Sequence, residues 1–144
     1  MILRPALATD APAMGELHIL AMRTLTFLPQ LHGVEEAQVW MADEILPTHA
    51  AWVAEVDGAV VGYIAIKDDW IQQIYVHPDR HGQGIGAALL AYVMAMGPPR
   101  QLWTFQQSDR ARRFYESRGF RPVEFTDGEG NEEKTPDVRY LWEG

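Results

Sequence analysis

The sequence predicts one α/β domain (an α+β mixed sheet) with helices on both faces of a central sheet, and three observations predict it. Patterning alternates between strand and helix periods in the order β-α-α-β-β-β-α-β-α-β-β. Asp57-Gly58 separates two runs of strand-forming residues and suits a two-residue hairpin turn. Ile71–Tyr92 runs from strand through a proline and three alternating glycines into an apolar helix. A chain of 144 residues, 47% hydrophobic and free of repeats or low-complexity segments, is expected to be a single domain over 1–144.

Taken in order, Ile2-Leu3-Arg4 reads as a short strand closed by Pro5. Thr9-Asp10 followed by Pro12 starts a helix expected to reach about Phe27, with Leu17, Leu20, Ala21 and Leu25 on one apolar face. A second helix is expected from about Glu35 to Ile45, ended by Pro47. The hairpin Ala51–Val56 and Ala59–Lys67 follows, then a turn at Lys67-Asp68-Asp69 and the strand Trp70–Val76. After the glycine loop and its helix, Gly97-Pro98-Pro99 closes the unit and Gln101–Phe105 is a strand. Ser108 or Asp109 caps a helix through Arg118, ended by Gly119, and Phe120–Thr126 with Val138–Trp142 makes a last strand pair.

Composition excludes several function classes. The longest apolar run, Ile85–Gly97, falls short of the roughly 20 residues a bilayer requires, and the start of the chain lacks the order of a signal peptide, so a soluble cytoplasmic protein with no membrane partner is expected. The chain has no cysteine, hence no disulfide, thiolate zinc site or cysteine nucleophile. A formal charge of −8 disfavours a nucleic-acid partner. Five of the twelve cations, Arg110, Arg112, Arg113, Arg118 and Arg121, fall within twelve residues, while Asp127, Glu129, Glu132 and Glu133 crowd a late loop. These segments are either ordinary solvated faces or walls near an anionic cofactor and a cationic acceptor.

The chemistry concentrates in Gly82, Gly84 and Gly86, each able to adopt positive φ and admit an anion to the main chain. A helix that opens in such a loop directs unpaired N–H groups and the positive end of its dipole at what lies in front, and phosphate is the usual occupant. The loop also fits the dinucleotide form, but the region about 20 residues on, Trp103-Thr104-Phe105-Gln106, has no ribose-binding carboxylate. No Lys-Ser or Lys-Thr follows the last glycine, so it is not a P-loop.

Val76-His77-Pro78 followed by His81-Gly82-Gln83-Gly84-Ile85-Gly86 resembles motif A of the GNAT superfamily of N-acetyltransferases, with His81 where that family usually has Arg or Gln. Ser108-Asp109-Arg110-Ala111-Arg112-Arg113-Phe114-Tyr115-Glu116-Ser117-Arg118-Gly119-Phe120 resembles the family's other signature, with Ser108 in place of the usual Asn. Two motifs in the expected order, with a matching order of elements, extend the resemblance over nearly the whole chain. It implies acetyl-CoA as co-substrate, no metal, and direct transfer of acetyl to a primary amine of a small molecule or peptide. It also implies cofactor contacts at Ile74, Tyr75 and Val76 on the strand and at His81, Gly82, Gln83, Gly84, Ile85, Gly86 and Ala87 around the loop. In the second motif it implies contacts at Ser108, Arg112 and Tyr115. Homodimers are common among similar proteins, so a homodimer is a possible partner.

By the same resemblance, two strands splay apart beyond motif A. The Ile74 N–H is then placed to polarise the thioester carbonyl, and the Val76 main chain to pair with the pantetheine amides. Tyr115 stands at the position of the general acid; a phenol of pKa about 10 is protonated at neutral pH. The alternative is a tyrosine that packs beside the cofactor or bonds the sulfur without transferring its proton. The base that accepts the amine's proton is left open among His32, Asp127, Glu132 and a water chain, because Gln72 and Gln73 cannot be bases. His77 and His81 are interrupted by Pro78 and Gly82 and are not read as metal ligands. The five tryptophans are core by default, with Trp70 a candidate for the acceptor pocket. A non-catalytic acyl-CoA-binding module and a dinucleotide-dependent oxidoreductase are the competing readings.

Overall fold

A computed structural model describes residues 1–144. Seven strands form one sheet: β1 (Ile2–Pro5), β2 (Ala50–Val56), β3 (Ala59–Lys67), β4 (Trp70–Val76), β5 (Arg100–Phe105), β6 (Arg121–Phe125) and β7 (Asp137–Trp142). Their order is β1-β2-β3-β4-β5-β7-β6, so β7 inserts between β5 and β6. Every pairing is antiparallel except β4 with β5. The β2–β3 hairpin turns at Asp57 and Gly58 with φ of 51° and 80°, the positive values a type I′ turn requires.

Helices cover both faces. On one, α1 (Ala11–Arg23), α2 (Val34–Trp40) and the turn after it bury Met14, Leu17 and Met41 against Val53, Tyr63 and Ala65. On the other, α4 (Ile85–Met94) and α5 (Asp109–Glu116) cover Ala54, Ile64, Leu102 and Val138 with Ile85, Leu89, Leu90 and Tyr115. The alternation Val53/Ala54 and Tyr63/Ile64 is the strand period feeding two cores.

Several expectations shift, among them the end of α5, which stops at Glu116 and not at Arg118. Helix α1 ends at Arg23, not near Phe27: the Thr24 hydroxyl donates to the Ala21 carbonyl at 2.6 Å and competes with the helical ladder. The second helix runs past Ile45 through a π turn (Met41–Ile45) into a last turn, α3 (Leu46–Thr48), that contains Pro47. There the Leu46 N–H bonds Met41 O five residues back, and the proline sits at the start of the new turn, where a missing N–H costs least. The Asp10 carboxylate does not cap α1; it accepts from Leu7 N at 2.7 Å and pairs with Arg4 at 2.8 Å.

Two departures from regularity shape the centre of the sheet. Strand β4 pairs with β3 as Ala65↔Gln73 and then Ile66↔Ile71, which leaves Gln72 without an opposite residue, a β-bulge that bends the strand. Strands β4 and β5 pair at Trp70↔Gln101 alone and diverge from there.

Candidate active site

The divergence of β4 from β5 opens a cleft of about 860 Å³. The His77 N–H bonds Val61 O at 2.8 Å, so the odd positions of β4 near this end direct their main chain at β3. The even positions, Ile74 and Val76, then turn their N–H and C=O toward the open side. His81 Nε2 reaches the Val76 carbonyl from that side at 3.2 Å.

One end of the cleft brings a glycine loop, the free N-terminus of α4 and basic side chains together. Gly82 and Gly84 have φ of 81° and 80°, and a Cβ added at either would meet nothing within 4 Å. Gly84 is the N-cap of α4, whose first turn has no acidic residue to occupy its free N–H groups. Gly86 differs from expectation: it is helical, inside α4, and a Cβ there would make ordinary contact with Val76 and Phe114. Ile85 is buried under the loop, and Ala87 lines the cleft one turn into the helix. Gln83 is exposed and lies outside the cleft lining, so only its main chain belongs to the glycine loop.

Five side chains of basic type line this half: Arg80, His81, Arg110, Arg113 and Arg118. Arg118 lies 4.1 Å over the Phe114 ring and donates to the Phe114 carbonyl at 3.1 Å, while Arg110 reaches His81 Nδ1 at 3.4 Å. Arg112 does not face the cleft. Its Nε donates to the Tyr140 hydroxyl at 3.0 Å and its guanidinium lies 5.6 Å over the Phe125 ring. The reason is helical geometry: Arg110 and Arg113 share one side of α5, and Arg112 and Glu116 share another, where both meet Tyr140.

Ser108 stands at the N-cap of α5, but its hydroxyl makes no capping bond; the residue is buried and lines the cleft. Tyr115 is buried among Phe114, Phe120 and Tyr140, with ring centroids 5.3, 5.8 and 6.1 Å away, and also lines the cleft. Burial, then the nearby Tyr75 phenol, holds the Tyr115 phenol well above the usual tyrosine range. Tyr75 lines the opposite wall, pushed up to about 12 by burial and by the charge of Glu133.

The other half is neutral. It is lined by Ala21 at the end of α1, Thr24, Leu25, Thr26 and Phe27 after it, and Gln72, Gln73 and Tyr75 of β4. Asp109, on α5, is the single carboxylate in the whole lining. His32, Asp127 and Glu132, the residues considered as bases, are not in it. His32 is tied to Glu36 at 2.7 Å and to Glu132, and Asp127 accepts from the Glu129 N–H at 3.0 Å within its own loop. Trp70 lies at the closed end, where β4 and β5 still pair; the tryptophan that lines the cleft is Trp103.

Sequence reasoning missed a polar group behind Gln73. The Tyr63 hydroxyl, fully buried, donates to Gln73 Oε1 at 2.5 Å and sits 2.9 Å from His18 Nδ1. The His18 ring packs edge-on to Tyr75 with centroids 4.5 Å apart, and burial lowers its pKa to about 4. The one signal for it was a histidine beside Leu17 and four residues from Met14, on the helix face that is otherwise apolar.

The family model for the acetyltransferase (GNAT) domain matches residues 47–122, from the end of the second helix through both signatures. The chain belongs to the GNAT acetyltransferase family. Among relatives of this family, it is 34% identical to an N-acetyltransferase of Archaeoglobus fulgidus over 56% of this chain and 65% of that one. It is 30% identical to the peptidyl-lysine N-acetyltransferase YiaC of Escherichia coli over 65% of this chain and 68% of YiaC. Thus the alignments span about two thirds of the length of these relatives. Among solved GNAT folds, yncA of Salmonella typhimurium, determined with its cofactor acetyl-CoA, superposes with a TM-score of 0.74 at 21% identity, covering 98% of this chain and 91% of that one. The mixed sheet flanked by helices is the GNAT fold. No helix is long and apolar enough to cross a membrane.

Proposed function

We propose that this chain is an acetyl-CoA-dependent N-acetyltransferase that passes acetyl directly to a primary amine of a small molecule or peptide. The observation that carries this reading is the juxtaposition, along one cleft, of a helix-capping glycine loop, outward-facing main chain at Ile74 and Val76, and a buried tyrosine. The residues present fit the cofactor: Gly82 and Gly84 leave open space at the positive end of α4, and four arginines stand nearby for phosphate. When bound, acetyl-CoA supplies an acetyl group activated as a thioester.

The Ile74 N–H donates to the carbonyl oxygen as negative charge builds there. The outward Val76 main chain binds the pantetheine arm in the manner of an added strand, with the Ser108 hydroxyl as a further partner. Tyr115, kept protonated by burial, offers its proton to the departing sulfur. The new C–N bond replaces the C–S bond, the amine's proton leaves to solvent, and the Tyr115 phenolate takes one proton back from solvent. His81, with Arg110 beside it, serves the anionic end at the position where the family usually has Arg or Gln.

The test is turnover of acetyl-CoA with a panel of amines that includes peptide lysines, the acceptor for which YiaC is named. Release of free thiol together with N-acetylated product is expected for at least one amine. Tight binding of acetyl-CoA with no turnover on any amine would reduce the protein to an acyl-CoA-binding module.

A further inference from the structure

The acceptor half of the cleft contains one side chain whose hydrogen-bonding sense is set by its surroundings. The single proton of the Tyr63 hydroxyl goes to Gln73 Oε1 at 2.5 Å. With the Gln73 amide oxygen turned to Tyr63, the hydroxyl accepts in turn from the Nδ1–H tautomer of His18, 2.9 Å away. Gln73 lines the cleft, its Oε1 is engaged, and its Nε2 meets no protein acceptor. An amide N–H₂ donor is thus left for whatever occupies this half.

The remaining lining narrows the occupant. No carboxylate lines this half, since the single one in the lining, Asp109, lies on α5 with the cations; Glu133 acts on Tyr75 from outside the lining. A donor repels an ammonium and welcomes an oxygen. An amine that meets no carboxylate has to react from its neutral fraction. At pH 7.5 that fraction is about a third for a peptide α-amine and about 0.1% for a lysine side chain. An α-amine also carries a carbonyl oxygen two bonds from its own carbon, which a lysine ε-amine does not.

We infer that Gln73, held by Tyr63 and His18, selects the acceptor by donating from Nε2 to a carbonyl oxygen beside the reacting amine, so that the substrate class is an α-amino amide, the free N-terminus of a peptide included. This rests on the acetyltransferase reading and departs from the lysine acceptor of YiaC. Gln73 touches the acceptor, and Tyr63 and His18 are positioning residues.

The experiment compares alaninamide, isopropylamine and α-N-acetyl-lysinamide as acceptors for wild type, Gln73→Glu and Tyr63→Phe. Gln73→Glu keeps the oxygen that accepts from Tyr63 and replaces the donor with a second acceptor. The ratio of kcat/KM for alaninamide to that for isopropylamine, taken variant against wild type, cancels the acceptors' own pKa values. That ratio is expected to fall by about tenfold or more in Gln73→Glu, carried by KM, and by a smaller factor in Tyr63→Phe. Wild type is expected to prefer alaninamide to the lysinamide. Parallel changes for both small acceptors, or a wild-type preference for the lysinamide, would overturn the inference and leave the acetyltransferase reading standing. Failure of wild type to acetylate any amine would overturn both. If Gln73→Glu loses its acetyl-CoA binding, as calorimetry would report, Tyr63→Phe decides in the same way.

Discussion

The two halves of the cleft are built by different means, and on the proposed function they would recognise the cofactor and the acceptor differently. The anion-binding half is mostly main chain: the glycine loop, the first turn of α4 and the outward edge of β4, with arginines around it. The acceptor half is side chains gathered from α1 and the turn after it, from β3 and from β4, with Tyr63 and His18 setting the Gln73 amide. A main-chain site needs a local sequence that permits a backbone shape, and it serves every member of a family that shares a cofactor. A side-chain site depends on which residues the fold brings together, and it can change without disturbing the sheet.

Three measurements sharpen or break that contrast. The largest expected effect is on chemistry, where the halves meet. Tyr115→Phe should lower kcat by about 10²-fold, the scale of a lost proton donor, with the KM for acetyl-CoA little changed. Because burial raises the phenol, wild-type activity should not decline from Tyr115 ionisation below pH 10. A variant with undiminished kcat would make Tyr115 a packing residue.

A middle-sized effect is expected on stability from the acceptor side. The folded imidazole of His18 has its pKa depressed to about 4, against about 6.5 in the unfolded chain. The unfolded state therefore takes up the proton first as the pH falls. The stability that depends on neutral His18 is complete above pH 6.5 and is lost toward pH 4. The Tm of wild type should fall over that window more steeply than that of His18→Gln. The Arg4–Asp10 pair acts in both proteins and cancels in the comparison. Parallel Tm curves would show that His18 is not held neutral.

The smallest effect tests the division within α5. Arg112→Met should cost about 1 kcal/mol of stability through the lost bond to Tyr140, and leave the acetyl-CoA affinity within about twofold. A large loss of affinity would return Arg112 to the cofactor.

Much of this was legible in the sequence, and what was not has physical causes. The hairpin at Asp57-Gly58, the glycine loop and the helices on both faces follow from local backbone preferences, and each is where the residues placed it. The insertion of β7 between β5 and β6 is a pairing between distant segments, which periodicity does not encode. The early end of α1 turned on one Thr24 hydroxyl, and the survival of Pro47 within a helical turn on a π turn just before it. Arg112 shared a motif with cleft residues and differed only in helical phase, a distinction of one position. Trp70 and Trp103 exchanged expectations because the β4–β5 opening sets which end of a strand is lined by solvent. The Tyr63–His18 pair joins residues 45 positions apart, and its one local trace was a histidine on the apolar face of α1.

If the backbone nest before α4 holds the cofactor, calorimetric titration of acetyl-CoA into wild type and Gly84→Glu will separate the two proteins. Gly84 has φ of 80° and open space in front, so the substituted carboxylate would strain the turn and enter the volume assigned to phosphate. Saturable binding to wild type, weakened by at least about 10²-fold in a variant that still melts cooperatively, is the predicted result. Equal affinity in the two proteins, or no binding to wild type, would contradict it.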